Sequence, residues 1–158
     1  MSKRGQAGDT IVEVLLAILV VSTILGGAFV SARRSQTGIR QTEERVEALK
    51  VAEAQIERIR TLSKSSSGTA LFTPTAPYTF CVDTTNQLRV ATLNPLTTDN
   101  FSNGTQHPSG CNTAPAGGVT YYTVAQRAAD NTFTVYTRWN GSGGSGKLEV
   151  QLSVRLDP

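Results

Sequence analysis

Two carboxylates stand at the start of a strongly apolar segment, GDTIVEVLLAILVV, which runs from Gly8 to Val21. Asp9 directly follows the glycine, and Glu13 lies inside the apolar run. A lone carboxylate costs about 2.5–3.5 kcal/mol at the centre of a bilayer and less near either end. Glu13 therefore either reaches back to the aqueous interface or has a cationic partner, and its position alone leaves both interpretations open.

No catalytic pattern accompanies these acids. His107 is the only histidine, lies next to Pro108, and has no metal-ligand or catalytic partner near it in sequence. No serine stands in a G-x-S-x-G turn, and GSGGSG at 141–146 lacks a P-loop lysine in register. We therefore expect a protein that is not an enzyme, with no catalytic residue and no cofactor.

Two weaker binding signals lie in the C-terminal half of the chain. Asp99, Asn100 and Asn103 offer oxygens for calcium, but they are scattered and lack an acidic cluster, so we expect no metal. Basic and aromatic side chains also alternate in a pattern that could bind single-stranded nucleic acid. A solvated sheet face carrying solubility charges is the simpler interpretation, and a net charge of +3 is too small to imply nucleic acid. The side chains concerned are Arg127, Arg138, Lys147, Arg155, Tyr121, Tyr122, Tyr136 and Trp139.

Cys81 and Cys111 are the only cysteines, with no CxxC or Cys/His spacing around them. Two buried free thiols are one interpretation. A single disulfide is favoured if the domain lies outside the cytoplasm, which the N-terminal segment suggests. Closing a loop of this length stabilises the fold by about 3–4 kcal/mol in the chain-entropy account.

The apolar segment has the length of a membrane span. Val14 to Val30 carries no charge, and the stretch that begins at Ile11 is about 20 residues, enough to cross a hydrocarbon core of about 30 Å as a helix. A cleaved secretory signal would have a shorter apolar region and a small-residue cleavage site. Here the run continues into a helical polar segment, which indicates a retained anchor.

The order of features at the N-terminus resembles the class III signal of type IV prepilins and of type II secretion pseudopilins. A short basic leader ends at Gly8, Asp9 and Thr10 follow, and Glu13 is the fifth residue counted from Asp9. The resemblance implies that a membrane peptidase cuts after Gly8 and that the apolar helix remains. It implies that Glu13 pairs with the N-terminal amine of a neighbouring copy, and Thr10 matches the hydroxyl residue common at the second mature position.

One residue departs from that family pattern. The first mature residue is usually an N-methylated phenylalanine, whereas this chain has Asp9. The resemblance implies a pilus subunit whose partners are copies of itself, other pilins, a prepilin peptidase, an inner-membrane assembly platform and, before assembly, the lipid bilayer. It implies a single pass through the inner membrane, with the N-terminus inside, and later an extracellular filament. A minor pilin or pseudopilin, and a membrane-anchored adhesin that never polymerises, are the alternatives.

A single helix is predicted from about residue 10 to residue 64, because no proline interrupts residues 9–73. Gly26 and Gly27 lie within it, either for close helix packing or as a point where the helix loosens in a filament. Charged residues, Glu44 among them, are predicted to face solvent opposite an apolar stripe. The stripe consists of Val46, Leu49, Ala52, Ile56, Ile59 and Ser63.

After residue 64 the apolar period changes from helical to two, which predicts strands. Alternation is clear in 148–156 and 133–139, a third strand is predicted at 119–126, and 78–83 with 87–93 form a further hairpin. Residues 94–118 are predicted to be a long polar loop. The sequence thus predicts an α+β fold, a long N-terminal helix packed on a C-terminal antiparallel sheet. Its segments are a leader at 1–8, an assembly helix at 9–30, an amphipathic continuation at 31–64 and a β-sheet head at 65–158.

Overall fold

The computed structural model describes residues 9–66, 68–73, 78–91, 108, 110–114, 118–142 and 146–157, with only the backbone of Asp9, Thr10 and Tyr78. The chain divides into two compact units, Met1–Arg40 and Gln41–Pro158. The helix α1 spans Asp9–Ser63, which confirms the predicted long helix, and a short helix α2 follows at Thr69–Phe72. The chain turns sharply between them, where the Gly68 amide donates to the Ser65 carbonyl at 2.9 Å.

The second unit contains an antiparallel sheet of six strands. Their order is β2-β1-β4-β5-β6, and β3 pairs with β4 beside this path. The strands are β1 at Tyr78–Val82, β2 at Leu88–Val90, β3 at Asn112–Thr113, β4 at Tyr121–Arg127, β5 at Thr132–Asn140 and β6 at Lys147–Arg155. The predicted α+β architecture is therefore present. The strand β3 is a correction, because it falls inside the segment predicted to be loop.

Side-chain alternation decides which face of the sheet the helix covers. In β5, Phe133, Val135 and Trp139 are buried and their intervening neighbours are half-buried. The register places Val154 opposite Phe133 and Leu148 opposite Trp139, so the apolar residues of β6 lie on the same face. Because successive strand side chains point to opposite faces, this inner face is the one that receives α1.

The buried face of α1 differs from the predicted stripe. Val46, predicted to open that stripe, is 46% exposed, and Glu44, predicted to face solvent, is only 8% exposed. Residues three and four apart share a helix face, and Ala48 and Ala52 are small enough to let the helix lie close to the sheet. Both alanines are fully buried. The complete buried set is Glu44, Ala48, Ala52, Gln55, Ile59 and Leu62.

The core between helix and sheet consists of two apolar clusters. The larger one includes Ile59, Phe80 and Phe133, and the two phenylalanine rings meet edge to face with centroids 6.0 Å apart. The smaller one contains Ala48, Tyr121, Trp139 and Val150. Edge-to-face aromatic pairs add about 0.5–1.5 kcal/mol beyond area burial. The clusters fix the C-terminal part of α1 against the inner face.

A disulfide joins β1 to the residue that precedes β3. Cys81 and Cys111 form that disulfide, with Cα atoms 6.2 Å apart. Next to it, Asp83 closes the turn between β1 and β2: its carboxylate accepts hydrogen bonds from the Thr85 and Gln87 amides, both at 2.9 Å. Asp83 also forms an ion pair with Arg89 at 2.9 Å. The Thr85 hydroxyl also donates to this carboxylate at 2.7 Å, and this bond, followed by the one from the Gln87 amide, holds the pKa of Asp83 well below its usual value.

Candidate functional site in the N-terminal helix

The N-terminal part of α1 exposes apolar side chains on every side. From residue 11 to residue 40 every side chain is exposed, and the large apolar ones between Ile11 and Val30 are 51–65% accessible. By length and composition this helix could cross a membrane, with a mean hydropathy of 2.5 over its most apolar window. A helix that is apolar all round is stable only inside a protein core or in lipid. Because no described residue of its own unit covers this segment, it requires lipid or a protein partner.

Glu13 is the only ionisable residue between Ile11 and Val30, and its side chain is exposed. No described side chain donates a hydrogen bond to its carboxylate or forms an ion pair with it. It lies one turn after Asp9, where α1 begins. Where water is excluded, a desolvated carboxylate needs a cation or strong donors, and none of the described side chains supplies one to Glu13.

The predicted processing residues lie at the first turn of the same helix. Asp9 and Thr10 are the first two residues of α1, so a cut after Gly8 would leave a chain that starts as helix. Gly8 and the leader fall outside the described residues. Unpaired amide groups at a helix start favour negative charge nearby, which adds to the positive character expected of a new N-terminus.

The hydroxyl of Thr23, within the apolar segment, is satisfied along the helix. The Thr23 hydroxyl donates to the Val20 carbonyl at 2.8 Å, which removes its need for water. At the far end the Arg33 guanidinium lies over the Phe29 ring, 4.6 Å from its centroid. Such an arginine can cover an apolar ring and still reach water. The segment therefore has a defined polar boundary at Arg33.

Gly26 and Gly27 lie in uninterrupted helix, and a Cβ added at either would meet nothing within 4 Å. The described helix is therefore not loosened at this point. Their suggested roles, close helix packing or melting in a filament, concern contacts with other copies. Both stay predictions.

In the second unit, Gln41–Pro158, which we call the head from here on, Glu44 links α1 to β5 and to the turn after it. Its carboxylate accepts a hydrogen bond from the Trp139 indole at 3.1 Å and another from the Ser142 amide at 3.0 Å. The Tyr121 hydroxyl donates to the Glu44 carbonyl at 3.3 Å. Burial pushes the pKa of Glu44 up, but the hydrogen bonds from Ser142 and Trp139 outweigh it, so the pKa lies below its ordinary value. Sequence reasoning missed this role, although Glu44 shares the phase of Ala48 and a buried indole needs an acceptor.

Gln55 completes a gap in the sheet. The backbone groups of Thr79 and Asp83 form hydrogen bonds on the β2 side of β1. The N–H and C=O of Val82 therefore point to the opposite side, toward β4, but the pairing of β1 with β4 ends at Phe80. With its amide oriented by these partners, Gln55 donates to the Val82 carbonyl at 3.0 Å and accepts from the Val82 amide at 2.6 Å. The side chain thus replaces a missing strand neighbour, and no local sequence signal reveals it.

The predicted basic and aromatic surface is not assembled on one face. Arg127 is buried, and its guanidinium donates to the Leu71 carbonyl at 2.8 Å. Tyr121 and Trp139 are buried against α1, whereas Tyr122 and Tyr136 are half-buried on the other face. Arg138 forms an ion pair with Glu149. The set is therefore divided between the two faces of the sheet, with the remaining five side chains on the outer face.

A small open cavity of about 300 Å³ lies at one end of the head, lined by Gln41, Arg45, Trp139, Leu148 and Glu149. It has one acidic and one basic side chain and no further titratable group, so it offers no set of ligands for chemistry. Over the described ranges no group of three or more His, Cys, Asp or Glu is close enough to hold a metal. The calcium candidates Asp99, Asn100 and Asn103, and also His107, lie outside the described residues.

The head and the N-terminal segment therefore differ in chemical character. The head buries its apolar side chains between helix and sheet, and buried polar groups such as Glu44, Gln55 and Arg127 bond within it, whereas the N-terminal segment exposes an apolar surface with a single carboxylate. Comparisons with protein-family models, with curated proteins and with solved structures each gave no match to this chain.

Proposed function

We propose that this chain is a structural subunit of a type IV pilus or a pilus-like filament, made as a precursor and cut after Gly8. The observation that carries the proposal is the fully exposed apolar helix with one acid at its start, from Ile11 to Val30. In lipid this segment anchors the subunit, and in a filament the same surface packs against the helices of other copies. Its partners are then the bilayer, a prepilin peptidase, an assembly platform, and further pilins.

Glu13 determines register in this mechanism. Cleavage creates an ammonium group at Asp9, close to the membrane surface. A neighbouring copy that brings its Glu13 beside that ammonium gives both charges a partner as water is excluded. Helix packing supplies the apolar contact, and the charge pair selects one relative height of the two copies.

Asp9 favours a minor pilin or pseudopilin as the second candidate. Its carboxylate stands next to the new amine and competes with Glu13 of the neighbouring copy for the positive charge. Such competition weakens the pairing in a homopolymer and suits a subunit that occupies few positions in a filament. The abundance of this chain in purified filaments, measured against the other subunits, separates the two candidates.

The processing step is tested by mass spectrometry of the mature N-terminus. The expected result is a chain that begins at Asp9 and remains in the membrane fraction. An intact leader, or a cut well beyond residue 25, would refute the pilin assignment. The mass also shows whether Asp9 carries a methyl group.

The assembly role is tested by Glu13→Gln, which removes the charge but keeps the size. The variant should be processed and membrane-bound like the wild type, because a neutral side chain enters lipid more easily, yet incorporation into filaments should fall strongly. Glu13→Asp should retain part of the incorporation, and Ser22→Ala in the same exposed segment is the matched control. Normal incorporation of Glu13→Gln would remove the proposed role and leave a non-polymerising membrane-anchored protein as the better description.

A further inference from the structure

The edge strand β6 is long and is paired on one side only among the described strands. It has nine residues and pairs with β5 over its whole length. Edge strands of this length attract other strands unless proline, bulges, shortness, a covering element or charged side chains prevent it, so the charges of β6 restrict the strands that can pair with it. The sequence of β6 contains no proline. Its inner apolar residues Leu148, Leu152 and Val154 remain only half-buried, as expected of a surface that a further strand would cover.

The backbone direction of β6 shows which residues face outward. The Gly141 amide donates to Gly146 at 2.8 Å and the Leu156 amide donates to Asn131 at 3.2 Å. Both contacts follow the register of the β5–β6 pair, so even-numbered residues of β6 direct their N–H and C=O toward β5. Odd-numbered residues from Lys147 to Asp157 therefore direct theirs away from the sheet. An incoming strand has to bond with these odd-numbered residues.

We propose that β6 is a self-complementary edge through which two copies of this chain pair antiparallel, with Leu152 facing Leu152 of the second copy. On the outer face this register places Lys147 opposite Asp157 of the second copy, and Glu149 opposite its Arg155. Two-fold symmetry forms each ion pair twice. On the inner face the same register sets leucine opposite leucine and valine opposite valine.

Neighbouring registers lack this match. The odd-numbered residues of the two copies face each other only if one strand slides by an even number of residues, which moves the centre of the pair by one residue for every two. Centring the pair on Gln151 places Lys147 opposite Arg155 of the second copy, and centring it on Ser153 places Glu149 opposite its Asp157. Like charges directly opposite destabilise a strand pair, whereas opposite charges stabilise it by about 0.2–1 kcal/mol. The charge order of β6 therefore selects the register about Leu152.

The pairing also determines the direction of the partner. Glu44 contacts Trp139, and Ile59 shares a cluster with Phe133, so the head part of α1 runs opposite to β5 and along β6. Two antiparallel β6 strands then set the head parts of α1 antiparallel. On the proposed function, copies within one filament have parallel helices, so the second copy belongs to a neighbouring filament of opposite direction. One such contact is small, and many along two filaments add together.

The register is tested by mixing two full-length variants in detergent micelles under oxidation, one with Gln151→Cys and one with Ser153→Cys. The native cysteines are already paired. The mixture should form crosslinked heterodimers faster than either variant forms homodimers, because residues 151 and 153 of different copies lie opposite. Thr84→Cys, in the turn at the other edge of the sheet, is the control. Preferred homodimers of either variant, or a yield no higher than the control, would overturn the proposal.

The charge order of β6 is tested with the same mixture of Gln151→Cys and Ser153→Cys variants. Lys147→Glu should lower the crosslinking rate about tenfold, because each of two symmetry-related pairs changes from attraction to repulsion. Asp157→Lys should do the same, and the double variant should restore the rate. Thr84→Glu, which also adds negative charge, should leave the rate unchanged. Equal losses in the single and double variants would refute charge-selected pairing. Neither experiment measures filament incorporation, so its outcome is independent of the Glu13 test.

Discussion

Replacing Glu44 by alanine should destabilise the head, because this side chain connects three elements. Its carboxylate accepts from the Trp139 indole in β5 and from the Ser142 amide after that strand. The alanine variant leaves both donors without this acceptor. Glu44 is 8% exposed and Trp139 is 2% exposed, so water reaches the indole poorly.

The magnitude follows from those two donors. Leaving a buried donor unsatisfied costs about 1–3 kcal/mol, with hydrogen bonds to charged groups at the upper end. The Trp139 side chain is only 2% exposed, so its cost lies near the upper end, whereas Ser142 is half-buried and water can replace part of its bond. Glu44→Ala should therefore lower the free energy of unfolding by about 2–4 kcal/mol, a large part of the 5–15 kcal/mol typical of a domain.

Trp139 is also the only tryptophan, so its fluorescence reports on the perturbed site. Urea unfolding of the full chain in mild detergent, followed by tryptophan emission, gives the free energy for the wild type and each variant. Glu43→Ala, an exposed neighbour on the same helix, is the matched control and should change stability by no more than about 0.5 kcal/mol.

The stabilising effect of Glu44 should also depend on pH. Because the folded-state pKa of Glu44 lies below its ordinary value of 4.5, its stabilising effect is present above that value and is lost as the pH falls through the folded pKa. The stability difference between the wild type and Glu44→Gln should therefore shrink below about pH 4.5. Equal stability of Glu44→Ala and Glu43→Ala at neutral pH would show that these hydrogen bonds contribute nothing measurable.

Three other changes test the packing of the head. Gly68→Ala should destabilise by about 1–3 kcal/mol in thermal unfolding, because its Cβ would clash with the backbone carbonyl oxygen of Ser63. Thr137→Val should stabilise by about 1 kcal/mol in urea unfolding, because the buried Thr137 hydroxyl has no hydrogen-bond partner among the described residues. Removing the disulfide by Cys81→Ala with Cys111→Ala should cost about 3–4 kcal/mol, since the bond closes a separation of 30 residues.

For each of these three changes, one outcome would contradict the prediction. An unchanged melting temperature for Gly68→Ala, relative to exposed Ser66→Ala, would mean that the turn after α1 moves freely. Thr134→Val removes a hydroxyl that bonds Ser153 at 3.0 Å, so it should not gain stability, and an equal gain in both valine variants would refute the argument from burial. A disulfide-free variant as stable as the oxidised protein would contradict the loop-closure account.

Local pattern was sufficient for the long helix and the longer strands, but not for the short helix α2 or the two-residue strand β3. The absence of proline predicted α1, and strict alternation predicted β5 and β6 with their inner faces. The hairpin turn between β4 and β5 is also local, because Asn131 there has φ of +61°, a conformation that asparagine tolerates. These features depend on residues close in sequence. The chemistry of Glu13 and Gly8 is likewise a local pattern, and its test lies in assembly.

Which face of α1 is buried, and which of its polar residues enter the core, depended on partners that are distant in sequence. Gln55 is buried because the Val82 backbone lacks a strand neighbour, and Glu44 is buried because an indole and an amide meet it. Arg127 faces inward because the Leu71 carbonyl lies there. A composition-based stripe treats such residues as solvent-facing, since burial of a polar group is favourable only when a specific partner is present. The sequence by itself determined where the long helix and the longer strands run, and that the surface from Ile11 to Val30 is apolar. Only the tertiary structure decided which polar groups enter the core, because it alone brings their partners within hydrogen-bond distance.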